Sequence, residues 1–173
     1  MSINTHLTSI KNYLRTELDN KLVRTVDLYA GQFTDSEIPQ KSFVAPAVFI
    51  SCLGWRIPKD KEYGKRHAEA RIAIFVLAKH AKSRVDRMTL AIAIAEKIHV
   101  LLANRRIGER CEDFGKTSDF SAENLYSRAL DERKHALFLI SFWQVVPVSD
   151  EIAIEYWDGE PELELTENLD EEV

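Results

Sequence analysis

The sequence predicts an α+β fold: a mostly antiparallel sheet of about four to six strands, packed against an N-terminal amphipathic helix and a long central helix. Three observations predict it. Residues 83–104 repeat apolar side chains at a 3.6-residue period: Met88, Ala91, Ile92, Ala95, Ile98, His99 and Leu102. Residues 43–57 and 67–80 form two strand-like runs on either side of a charged turn. Residues 121–127 and 135–148 form a second such pair.

Residues 2–18 open the chain as an amphipathic helix, with Ile3, Leu7, Ile10, Leu14 and Leu18 on one face and Ser2 placed to cap it. Val23 to Tyr29 follows as a short strand, then a loop over residues 31–41 rich in Gly31, Asp35, Ser36 and Pro39. The run 43–57 carries β-branched and aromatic bulk in Val48, Phe49, Ile50 and Trp55, and Pro46 suits its beginning because proline cannot donate to a ladder. Residues 58–66 hold Lys59, Asp60, Lys61, Glu62, Lys65 and Arg66 around Gly64, the composition of a projecting hairpin tip.

In residues 67–80, Ala68, Ala70, Ile72, Ile74 and Val76 point one way, and Glu69, Arg71, Ala73, Phe75 and Leu77 the other. The first half therefore has one wet face, and the second half belongs at the centre of the sheet. The helix over 83–104 has Ser83 as cap and a second apolar row including Leu90, Ile94, Val100 and Leu101. A helix apolar nearly all round is expected to be covered on more than one side. Residues 105–120 show no period, and Asp131 to Lys134 reads as a charged turn between the two closing strands. Ile152 to Trp157 offers a further short edge strand. The expected organisation is one domain over residues 1–157 and an acidic tail over 158–173.

That tail holds eight acidic residues and no Lys or Arg, so the formal charge of −5 becomes +3 without it. A body so weakly basic does not argue for nucleic-acid binding. The first twenty residues, with Lys11, Arg15, Glu17 and Asp19, do not resemble a signal peptide, and no apolar run reaches the roughly 18–20 residues that span a bilayer.

No catalytic, cofactor-binding or metal-ligating constellation is visible. His6, His67, His80, His99 and His135 stand apart, without carboxylates or thiols at ligand spacing. His99, on the apolar helix, is expected to be a hydrogen-bonded core histidine. Cys52 and Cys111 form no disulfide or metal pattern, and Cys52 is expected to be unpaired in an apolar strand. Asp113-Phe114-Gly115 matches the kinase metal-binding triplet by letters alone, without a glycine-rich phosphate loop. Glu69 and Arg71 share a strand face and read as a surface ion pair or interface contact. The chain is expected to be no enzyme, with no cofactor. Trp55, Trp143 and Trp157 on or near strands, with open strand edges, point instead to association by strand addition.

The order of these elements resembles the tail terminator, or tail completion, proteins of tailed bacteriophages, in the Mu-like contractile-tail version. The resemblance is carried by the opening helix, by Ala47-Val48-Phe49-Ile50, by Arg71-Ile72-Ala73-Ile74-Phe75-Val76 leading into the long helix, by Ala122-Glu123-Asn124-Leu125-Tyr126-Ser127, and by Phe142-Trp143-Gln144-Val145. It implies a virion protein assembled in the host cytoplasm as a homo-hexameric ring on the last ring of the tail tube. Its implied partners are the tube protein, the sheath protein of a contractile tail, and a neck or connector protein; genomic DNA would pass through the lumen without specific binding. Within it, Lys59, Lys61, Lys65 and Arg66 are assigned to tube or neck contacts, and Glu69, Arg71, Trp55 and Trp157 to the subunit interface. Another head–tail connector subunit, or a small-ligand regulatory domain of ferredoxin-like type, are the alternatives.

Overall fold

A computed structural model describes residues 2–29, 43–58, 66–79, 83–107, 114–125 and 128–148. The loop over 31–41, the hairpin tip with Lys59, Lys61 and Lys65, His80, Cys111, Trp157, the short strand over 152–157 and the acidic tail all lie outside them. The elements run α1 (Ile3–Glu17), β1 (Thr25–Leu28), β2 (Ala47–Arg56), β3 (His67–Lys79), α2 (Arg84–Leu102), β4 (Ser118–Asn124), α3 (Arg128–Glu132) and β5 (His135–Pro147). The expected order holds, with one addition: the one-turn helix α3 takes in Asp131 and Glu132, and the turn itself is left to Arg133 and Lys134.

The five strands form one sheet in the order β1-β2-β3-β5-β4, with β1 parallel to β2 and every other pair antiparallel. In the two long antiparallel pairs Phe49 lies opposite Phe75, and Ile74 opposite Ile140. From Ile72 to Ala78 every residue of β3 is buried, as the apolar character of both its faces requires.

Helices α1 and α2 cover one face. Leu7, Ile10 and Leu14 from α1, and Ile94, Ile98 and Leu102 from α2, meet Val48, Ile50, Ile72, Ile74, Ile140 and Phe142 of the sheet. Each helix begins with the serine that its sequence offers. Ser2 accepts from the Thr5 backbone N–H at 3.2 Å, and Ser83 from that of Asp86 at 3.0 Å. A smaller cluster on the opposite face joins Tyr29, Phe49, Phe75, Leu77, Leu130 and Leu137.

The segment after α2 has no period because its job is local. Thr117 Oγ1 donates to the Leu102 carbonyl at 2.6 Å and accepts from the Arg105 N–H at 3.2 Å, which satisfies the end of α2. Phe114, 1% exposed, fills the core under α1. That burial accounts for the aromatic residue of the Asp113-Phe114-Gly115 triplet.

Two expectations fail. His99 is exposed, its ring standing edge-on to Phe120 at 5.0 Å, instead of lying hydrogen-bonded in the core. Helix α2 is covered on one side, leaving Val85, Ile92 and Val100 exposed. Among the described residues the buried histidine is His6 on α1, packed 5.0 Å from the Phe114 ring.

Candidate assembly surfaces

A bulge near the hairpin base arranges the first surface. Pairing between β2 and β3 shifts between Cys52 and Gly54, and Gly54 has φ = 144°, a backbone state that favours glycine. The extra residue reverses the alternation beyond it. Trp55 comes opposite Ala70 on the helix-covered face, and Arg56 comes opposite Glu69 on the other.

Arg56 Nε donates to Glu69 Oε2 at 2.6 Å, and its guanidinium sits 4.0 Å from the centre of the Trp143 ring. The carboxylate beside Arg56 raises the guanidinium pKa above its ordinary value. Arg71, the exposed register partner of Trp143, lies on the same face. So Glu69 and Arg71 do share a face, as expected, but the ion pair Glu69 makes is with Arg56 across the hairpin. Sequence spacing gave no sign of this, since the contact depends on the bulge.

Trp55 is 67% exposed and Ile57 86% exposed. Together with Ile3, Cys52, His67 and Val148 they line an open cavity of about 560 Å³ between the start of α1 and the hairpin base. Arg66 is exposed at the start of β3, and its carbonyl accepts from the Val148 N–H at 2.8 Å. The four assigned residues that are described, Trp55, Arg66, Glu69 and Arg71, therefore all gather at the hairpin end of the sheet, on both of its faces. Cys52 is unpaired there; its Sγ donates to the Gly54 carbonyl at 3.4 Å, and burial pushes its pKa up.

The second surface was not anticipated. Strand β4 ends the sheet among the described residues, and nearly all of it is exposed. Between it and α2 runs a groove of about 650 Å³, lined by Ile92, Ala95, His99, Val100, Phe120, Ala122 and Phe138. The available signal was the second apolar row of α2, which exceeds what one sheet face can cover.

Among the described residues no group of three or more His, Cys, Asp or Glu could hold a metal ion, and no helix is long and apolar enough to cross a membrane. Burial lowers the His6 pKa to about 4, opposed in part by the Gln144 side chain. Among the described residues, no group stands within normal hydrogen-bonding geometry of either His6 ring nitrogen. This imidazole is a neutral core group under α1, remote in character from a proton donor at a cleft.

No family model and no curated protein sequence matches the chain. Among solved structures, the fold is similar to that of a chain in the virion of a native gene transfer agent particle. The TM-score is 0.51 at 16% sequence identity, over 84% of this chain and 96% of that one. At that identity the likeness is one of fold.

Proposed function

We infer that this protein is a structural, non-catalytic subunit of a phage-like particle. In that particle it forms a ring, of six copies, that caps the tail tube, ends tail polymerisation and seats the neck of the head. The observation that carries this conclusion is the fold it shares with a virion chain over nearly the whole length of that chain. The order of elements that resembles tail terminators, and the apolar surface left open on a single copy, support it independently.

The physical logic is that of a capped polymer. A tube grows because the top of each ring fits the bottom of the next, a heterologous contact that never closes. A terminator matches the last ring on one side and differs on the other, so addition stops and a new binding surface faces the head. In this scheme Lys59, Lys61, Lys65 and Arg66 contact the tube or neck, because the sequence concentrates charge in the segment joining β2 to β3. Trp55, Glu69, Arg71 and Trp157 serve subunit contacts, with exposed Trp55 the best-supported of them. The tube protein, a sheath protein where the tail contracts, and a neck protein are the partners; DNA crosses the lumen unbound.

Reversing the charge of Lys59, Lys61 and Lys65 to Glu tests the assignment. The ring is expected to persist while tail joining, scored by electron microscopy of particles, is lost; unchanged joining rejects it. A ring of twelve located at the head portal would instead identify another connector subunit.

A further inference from the structure

Strand β4 and α2 together present an unusual surface for a single copy. The outer edge of β4 has no strand partner among the described residues. An open edge carries backbone N–H and C=O groups ready to pair, and native sheets normally blunt or cover it. Here it stands beside apolar Ile92, Val100, Phe120 and Phe138. Val100 is 66% exposed and Ile92 38% exposed. An edge combined with an apolar groove fits an extended segment whose alternate residues are apolar, since every second side chain of an added strand would point into the groove.

Outside the described residues, the segment nearest the end of β5 has this pattern. In residues 151–157 Ile152, Ile154 and Tyr156 alternate with Ala153, Glu155 and Trp157, and the length equals that of β4, Ser118–Asn124. We propose that residues 151–157 of one copy add as a strand to the β4 edge of the next copy, seating Ile152, Ile154 and Tyr156 in its groove. This rests on the ring reading and names the contact that would hold the ring together.

At the register that sets Ile154 beside Ala122, chain length selects the neighbour over the same copy. Ala122, in the second half of β4, pairs with Ile140, and the chain then runs eight residues further to Val148. That offset is about 26 Å along the strand, and the position beyond β4 lies two strand spacings, about 10 Å, to the side. Ile154 would have to travel about 28 Å from Val148 to lie beside its own Ala122, whereas six extended residues reach about 21 Å. A neighbouring copy imposes no such limit. Donation from each copy to the next is also heterologous, the contact type that closes into a ring when its rotation permits.

The experiment uses the full chain with Cys52→Ala and Cys111→Ala. One tagged copy carries Ala122→Cys, and a differently tagged copy carries Ile154→Cys. Directly opposed Cα atoms on paired strands lie about 4.5–5.5 Å apart, within the Cα separation a disulfide accepts. Mild oxidation is expected to give a covalent species containing both tags, and a ladder of multimers when both cysteines share one chain. Cross-links confined to single chains, or none in material that assembles, overturn the proposal. In parallel, Ile152→Asp/Ile154→Asp and Val100→Glu are each expected to abolish the assembled species while leaving the circular dichroism of the subunit unchanged. Wild-type assembly by the Asp double variant overturns strand donation and leaves the ring itself standing. A parent chain that never assembles overturns both.

Discussion

His6 is the residue with the clearest measurable consequence. Burial holds its folded pKa near 4, below the ordinary 6.5, so the unfolded chain binds the extra proton first as pH falls. Its contribution is complete above pH 6.5 and declines from there down to about 4. Stability at pH 5 is expected to be about 2 kcal/mol lower than at pH 7.5 on account of His6. Denaturant titrations at the two pH values measure this, and His6→Leu should flatten most of the difference. His135, whose pKa burial also lowers, adds in the same direction. Asp131 provides a second test. Arg87, 6% exposed on α2, donates to its carboxylate at 2.5 Å, tying α2 to α3. Asp131→Ala leaves a buried guanidinium short of an acceptor and is expected to cost about 1–3 kcal/mol, read as a fall in the denaturation midpoint. Neither interaction was legible beforehand. In the sequence His6 is only one of five scattered histidines, and the Arg87–Asp131 contact spans 44 positions with no local signature.

Among the elements, the long strands and α2 were legible because their periodicity is set by what they bury. Both faces of β3 are apolar from Ile72 onward, and both are covered. The weaker elements were shifted. The strand expected over 121–127 runs from Ser118 to Asn124, since an exposed edge strand needs no alternation and leaves little pattern to read. Helix α3 is too short to show a period at all. The bulge at Gly54 was hidden too, though it decides which face Trp55 and Arg56 occupy. Gly54→Ala meets no steric obstacle, because no atom lies within 4 Å of the added Cβ. Its cost is therefore a backbone cost, expected at about 1 kcal/mol or more by thermal denaturation. Helix α2 yields a paired comparison between its two sides. Ile98→Ala, at a fully buried position, is expected to lose about 2–5 kcal/mol. Val100→Ser, on the exposed side, should stay within about 0.5 kcal/mol in the isolated subunit and weaken association instead.

For the molecule as a whole, the sheet and its two long helices account for the core, while two apolar surfaces remain open: the hairpin end with Trp55 and Ile57, and the groove between α2 and β4. The first was accessible to sequence reasoning through its charged turn and its tryptophans. The second depended on knowing that β4 is an edge, which strand order alone decides. Open apolar surfaces of this kind are a feature of proteins that associate, and they are the basis of the ring proposed above. The central claim is that copies of this chain close on one another into a ring. Light scattering on the full chain over a range of concentrations, alone and mixed with its tube protein, measures that directly. A discrete mass of six subunits is the predicted result, and a subunit that stays monomeric under every one of these conditions would contradict it.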